Sequence, residues 1–79
     1  IKIKKNVILK GLNIIDLVLL TKLAKSKSEV RRIIKNKGLK INNIIIYDET
    51  KNINKSDFDE NDNLKVSHGK KQHVIIKIN

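Results

Sequence analysis

Lys27, Arg31 and Lys35 recur at four-residue spacing, and Arg32 stands beside the middle one. On a helix that spacing stacks side chains along one face, giving a row of cations. Lys25 and Ser26 precede the row, where a helix start turns its unpaired amide groups toward solvent. Cations beside free amides suit one chemistry well, the holding of anionic oxygens such as those of phosphate. The rival reading is a solvated polar face, which most charge runs are. That reading predicts interspersed acids, yet Glu29 is the only one between Lys25 and Lys35, and a capping role accounts for it. The segment favours an anion-binding face.

The remaining candidates are weaker. Lys70 and Lys71 sit in a predicted hairpin loop, where lysine serves solubility as readily as binding. His68 and His73 flank that loop, but no cysteine or carboxylate stands nearby in sequence to complete a metal site, and none is expected. Asp57, Asp59, Glu60 and Asp62 alternate superficially like a calcium loop. They lack the sixth-position glycine and the distal bidentate glutamate that such a loop needs. A solvated acidic loop that repels phosphate is the expectation. Lys25-Ser26-Lys27-Ser28 resembles the lysine-serine signature of adenylate-forming synthetases, but it stands where a helix cap belongs. No Gly-rich phosphate loop, no serine with a positioned histidine and acid, and no paired carboxylates are found, so no catalytic residue is assigned.

These side chains need elements to position them. Residues 1–12 read as an extended entry segment, with Val7, Ile8 and Leu9 as a short strand before Gly11. Asn13 reads as a helix N-cap with Asp16 as its partner, and the helix is predicted to run through Leu23. Its buried stripe is Ile14, Leu17, Val18 and Leu20 or Thr21. Ser26-Lys27-Ser28-Glu29 fits the S-x-x-E capping box, so a second helix starts at Lys27 and buries Val30, Ile33 and Ile34. Gly38 is predicted to supply its left-handed stop. With only Ala24-Lys25 between them, the two helices form a helical hairpin. Leu39 and Ile41 then alternate with polar residues, and Asn42-Asn43 reads as a tight turn into Ile44–Ile46. Ile53 and Phe58 are the expected inward anchors of the acidic stretch, around a short helical turn near Ser56. Leu64 to Ser67 and His73 to Ile78 read as two strands. Leu17, Val18, Val30, Ile33, Ile34, Ile41 and Ile76 are the predicted core.

Composition sets the partner class. The chain has 79 residues, a formal charge of +10, fifteen isoleucines and only Tyr47 and Phe58 as aromatics. A chain of this size buries roughly 60% of the surface its unfolded form exposes, so its core is thin and its self-repulsion matters. Residues 1–40 carry twelve Lys and Arg against two acids; residues 41–63 carry two against six; residues 64–79 carry four against none. A polyanion is therefore expected to meet both ends and avoid the middle. The absence of cysteine excludes disulfide scaffolds, zinc ribbons and thiol nucleophiles. Apolar runs such as Leu17 to Leu20 are far too short to span a bilayer. No secretory signal is visible. Without a methionine, the chain is expected to be a piece of something longer.

LAKSKSEVRRIIKNKGLKINN, Leu23 to Asn43, resembles the S-four RNA-binding domain. That pattern places an Asp early in a first helix, a Ser opening a basic second helix, paired Arg, then Gly and a strand-turn. Asp16, Ser26, Arg31, Arg32, Gly38, Ile41 and Asn42 fall at the matching places. Two departures stand out: Lys22 replaces a usual Gly, and Asn43 replaces the turn Gly. The flanks, NVILKGLNIIDLVLLTKLAKSKSEVRRII and LKVSHGKKQHVIIKI, look like the C-terminal domain of bacterial-type tyrosyl-tRNA synthetases, whose terminal hairpin with its Gly-Lys-Lys turn is matched by Gly69-Lys70-Lys71.

The resemblance implies an α+β, S-four-like fold (the α-L motif), with the helical hairpin packed on a small, mostly antiparallel sheet. It implies residues 1–12 as an entry segment from a preceding domain and residues 13–79 as the RNA-binding domain. Its implied role is to grip the long variable arm and anticodon stem of tyrosine tRNA. Lys25, Ser26, Lys27, Arg31, Arg32 and Lys35 would make the contacts, extended by Lys70 and Lys71, with Lys40 a weaker candidate. No enzymatic activity or cofactor is expected in this chain. ATP and magnesium belong to the catalytic domain of a parent ATP-dependent tyrosine–tRNA ligase, expected to be a cytoplasmic homodimer with no membrane partner. The alternatives are a stand-alone or differently fused S-four-type domain acting on ribosomal RNA, a lysine-rich surface for acidic proteins or membranes, and an enzyme in its own right.

Overall fold

The computed structural model describes residues 1–78; Asn79, the last residue of the expected domain, lies outside them. The order is β1 (Lys2–Ile3), α1 (Lys5–Leu9), β2 (Leu12–Asn13), α2 (Ile14–Thr21), α3 (Lys27–Lys35), β3 (Leu39–Ile41), β4 (Ile44–Ile45), β5 (Asn52–Ile53), a 3-10 turn (Lys55–Asp57), β6 (Asn63–His68) and β7 (Gln72–Ile78). This is an α+β arrangement of three α-helices and a mixed sheet. The main sheet runs β1-β7-β6-β3-β4, antiparallel except where β1 lies parallel to β7; β2 and β5 form a separate antiparallel pair.

One core unites these elements. Ile14, Leu17 and Val18 from α2, Val30 from α3, and Leu39, Leu64 and Val66 from the sheet are fully or almost fully buried in it. All seven predicted core residues are buried, as are the anchors Ile53 and Phe58. Thr21, not Leu20, completes the α2 stripe; its buried hydroxyl donates to the Val18 carbonyl and accepts the Leu23 amide. A buried hydroxyl needs such partners, or its desolvation would cost free energy.

Residues 5–9 depart from expectation. Val7-Ile8-Leu9 has β-forming residue types, yet it forms α1, which buries Ile8 and leaves Leu9 exposed. A helical turn lets Ile8 and Leu12 reach one core while Gly11, at φ +88°, redirects the chain between them. Packing has overridden local propensity.

Both main helices start as their caps predict. Asn13 accepts the Ile15 amide at 2.8 Å, and Ser26 accepts the Glu29 amide at 3.2 Å. Their ends differ. α2 stops at Thr21 because Lys22 turns left-handed at φ +63°, so the link to α3 runs from Lys22 to Ser26. After α3, Lys37 rather than Gly38 takes the left-handed place, at φ +60°. The Lys37 amide donates to Ile34 and the Gly38 amide to Ile33, the paired bonds of a Schellman stop. The αL conformation costs a residue with a Cβ roughly 1–2 kcal/mol, and glycine's greater unfolded-state entropy offsets part of that. Lys37→Gly is therefore expected to stabilise the domain by about 0.5–1 kcal/mol, read as a higher midpoint in thermal unfolding; a lower midpoint would show that the lysine stem packs where it stands.

The Asn42-Asn43 turn forms as read, with both residues left-handed at φ +51° and +69°. Asn42 also ties distant segments. It donates to the Asp57 carbonyl at 2.7 Å and accepts the Lys65 amide at 3.0 Å. The acidic stretch is built by its own carboxylates: Asp59 accepts the amides of Asn61 and Asn63, and Asp57 caps the 3-10 turn through the Asn54 amide. Asp48 accepts the Thr50 hydroxyl and amide, which hold its carboxyl below the ordinary aspartate range. A depressed pKa means this support is present above the ordinary range and fades as pH falls through the lowered value.

Candidate nucleic-acid interface

α3 presents its apolar stripe of Val30, Ile33 and Ile34 inward, which sends Arg31, Arg32 and Lys35 outward. All three are exposed, and they line one open groove of about 590 Å³ with Ser28, Tyr47 and Glu49. At the start of the helix the Ser26 cap satisfies the Glu29 amide, leaving the Lys27 and Ser28 amides without intrahelical partners. The free amides stand at the head of α3, while Arg32 and Lys35 stand in its last turn.

The acidic segment enters this site, which the sequence did not indicate. The Asn13 side chain donates to the Glu49 carbonyl and the Ile14 amide to the Lys51 carbonyl, docking residues 48–51 against the start of α2. Glu49 then lies 3.7 Å from Arg31 Nε, both side chains about half exposed. An exposed pair of this kind contributes about 0–1 kcal/mol, so it orients Arg31 without locking it. Among the described residues the ion-pair partner of Arg31 is Glu49, not Asp16. Lys27 lies in an adjoining groove of mixed sign, with Asp16, Arg31 and Glu49. The cationic face is therefore strongest at Arg32 and Lys35.

The other candidates spread out. Lys25 and Ser26 are exposed at the head of α3. Lys70 and Lys71 sit at the tip of the β6–β7 hairpin, which the Gly69 amide ties to the Gly38 carbonyl at 3.0 Å, just past the end of α3. Lys70 shares a groove with Lys40 and Lys65 instead of with the α3 cations. His68 and His73 point to opposite faces of the sheet, because His68 pairs with Gln72 and His73 with Ser67 in adjacent rows. Tyr47, 69% exposed, lines the groove beside the α3 cations, a position the cationic spacing does not point to. The signal was there: a polar-edged residue following Ile46, which the alternation buries. No helix among the described residues is long and apolar enough to cross a membrane.

Fold and site together define a small α+β domain that turns a basic helix outward from a shared core. The tyrosine–tRNA ligase SYY-like C-terminal domain matches residues 3–76, and the chain belongs to that family. It is 42% identical over 77 residues to the tyrosine–tRNA ligase of Pelagibacter ubique, which covers 98% of this chain and 19% of that one. Against the tyrosine–tRNA ligase of Bartonella henselae it is 40% identical over 76 residues, covering 96% and 18%. Against that of Rickettsia bellii the identity is 46% over 56 residues, covering 71% and 14%. The chain spans less than a fifth of the length of these relatives.

Proposed function

We propose that this chain is the tRNA-binding module of a tyrosine–tRNA ligase, an S-four-type domain that grips the long variable arm and anticodon stem of tyrosine tRNA. The observation that carries the reading is the set Arg31, Arg32 and Lys35 on one exposed groove, at the end of a helix whose first amides are free. Contacts fall mainly on phosphates and 2′-hydroxyls, since an RNA helix hides its base edges in a deep, narrow groove. Lys25, Ser26 and Lys27 extend the face at the head of α3, and Lys70 and Lys71 offer further contacts from the tip of the β6–β7 hairpin, outside the α3 groove. Tyr47 offers one ring for a base or sugar at the groove edge.

Tyrosine activation, with its ATP and magnesium, lies in the rest of the parent enzyme, a cytoplasmic homodimer; this chain contributes no catalytic group. Residues 1–12 are packed with the rest of the described chain, since β1 pairs with β7 and Ile3, Ile8 and Leu12 lie in the shared core. The test is binding to tyrosine tRNA with and without its long variable arm, across a salt series. Trimming the arm is expected to remove most of the affinity at moderate salt; equal affinity and equal slope for both RNAs would reduce the domain to a generic phosphate binder.

Glu49 sets a further expectation. It withdraws Arg31 from a phosphate and repels the RNA itself. Glu49→Gln is expected to tighten tRNA binding about two- to fivefold in anisotropy titrations, with stability changed by less than about 1 kcal/mol. Weaker binding would mean that the pair holds Arg31 in its binding position.

A further inference from the structure

The five-stranded sheet has a second face, of which the residues above use only Lys40 and, at the hairpin tip, Lys70. Along β3, β6 and β7 the inward side chains Leu39, Ile41, Leu64, Val66 and Ile76 are buried, and alternation sends the residues between them outward. The register places Lys40 opposite Ser67, Lys65 opposite Ile75, and Lys2 opposite Lys77. Lys40 and Lys65 are therefore diagonal neighbours, as are Lys65 and Lys77, at about 7–8 Å by strand geometry. The four lysines form an oblique row across β3, β6, β7 and β1. No outward strand position carries Asp or Glu, and among the described residues none of the four is in an ion pair. Lys70 joins the row at the hairpin end, where it lines an open groove of about 260 Å³ with Lys40, Lys65 and His73 over the buried Ser67.

Protection of a sheet edge does not explain this placement. Lysines that block edge pairing belong on edge strands, but Lys40, Lys65 and Lys77 lie on the interior strands β3, β6 and β7. Lys2 and Lys77 stand side by side, an arrangement that costs stability through like-charge repulsion. A polyanion laid along the row relieves that cost. A row of this length suits an extended polyanion better than a single small anion.

We infer that the outer face of the sheet is a second phosphate-binding surface, which takes an RNA backbone independently of α3. The inference rests on the reading that this chain binds RNA, and it adds Lys2, Lys65 and Lys77 and makes the outer face a site separate from α3. Neither aromatic residue lies on this face, so it holds phosphates and does not stack bases.

The test compares wild type with Lys40→Gln/Lys65→Gln/Lys77→Gln, each alone and combined with Arg32→Ala/Lys35→Ala, for binding to a short RNA duplex across a salt series. The sheet variant is expected to flatten the log–log slope by about two, at roughly 0.7–0.9 per lost contact, in either background. Lysine-acylation footprinting of the wild type needs no variant and is expected to show Lys65 and Lys77 protected severalfold by the duplex. An unchanged slope with both lysines unprotected, while the α3 variant loses affinity, overturns this inference and leaves the α3 reading standing. No RNA binding by the wild type overturns both. If the sheet variant keeps its RNA binding but loses binding to phosphatidylserine vesicles, RNA is the wrong occupant and the inference falls.

Discussion

Leu17→Ala is expected to destabilise the domain by about 3 kcal/mol, within the range for emptying a fully buried leucine site. Leu17 is 0% exposed on α2, in the same core cluster as Val30 of α3 and Leu64 of β6. Helices and sheet share that one cluster, so among the described residues there is no second core to absorb the loss. At roughly 0.05–0.15 kcal/mol per residue, a chain of 79 residues has only about 4–12 kcal/mol in total. The expected fall in melting midpoint is about 12–24 °C, at about 4–8 °C per kcal/mol for a domain of this size. Thermal and denaturant unfolding followed by circular dichroism would measure it. A loss below about 1 kcal/mol would mean that α2 is not pinned at Leu17 and that the helices hold the sheet by other contacts.

Replacing Arg31, Arg32 and Lys35 together by Ala is expected to leave the fold intact and weaken tRNA binding about a hundredfold at moderate salt. Hydrogen bonds to charged groups contribute about 1.5–3 kcal/mol each, and Arg31 brings less because Glu49 already engages it. The log–log salt slope should flatten by about two to three units. All three side chains are exposed, so stability should move by less than about 0.5 kcal/mol per site. Set beside Leu17→Ala, the contrast separates the scaffold from the face it presents. Unfolding of the triple variant would make these cations structural, and unchanged affinity would remove α3 from the interface.

Local signals were legible and long-range ones were not. Ser26 and Asn13 announce helix starts because a cap is a contact between residues two or three apart. Asn42-Asn43 announces a turn because asparagine tolerates positive φ. The apolar spacing of α2 and α3 identifies the core, since burial needs one face. Parallel pairing of β1 with β7 joins the two ends of the described chain, and nothing near Lys2 signals a partner at Lys77. Without that pairing, residues 1–12 read as a loose extended segment and the outer row of lysines is invisible. Glycine suits a left-handed stop and points to Gly38, but the chain places Lys37 in that conformation. For the site, the cationic spacing of α3 was readable. The approach of Glu49 was not, because it depends on residues 48–51 docking on Asn13 from 36 positions away.

The claim that α3 is the RNA-facing surface is tested most directly by following backbone amide chemical shifts while tyrosine tRNA is added to the intact chain. The account predicts the largest changes from Ser26 to Lys35, with those of the acidic stretch from Asp57 to Asn61 smallest. Large shifts confined to the acidic stretch or to α1, with α3 unmoved, would contradict it.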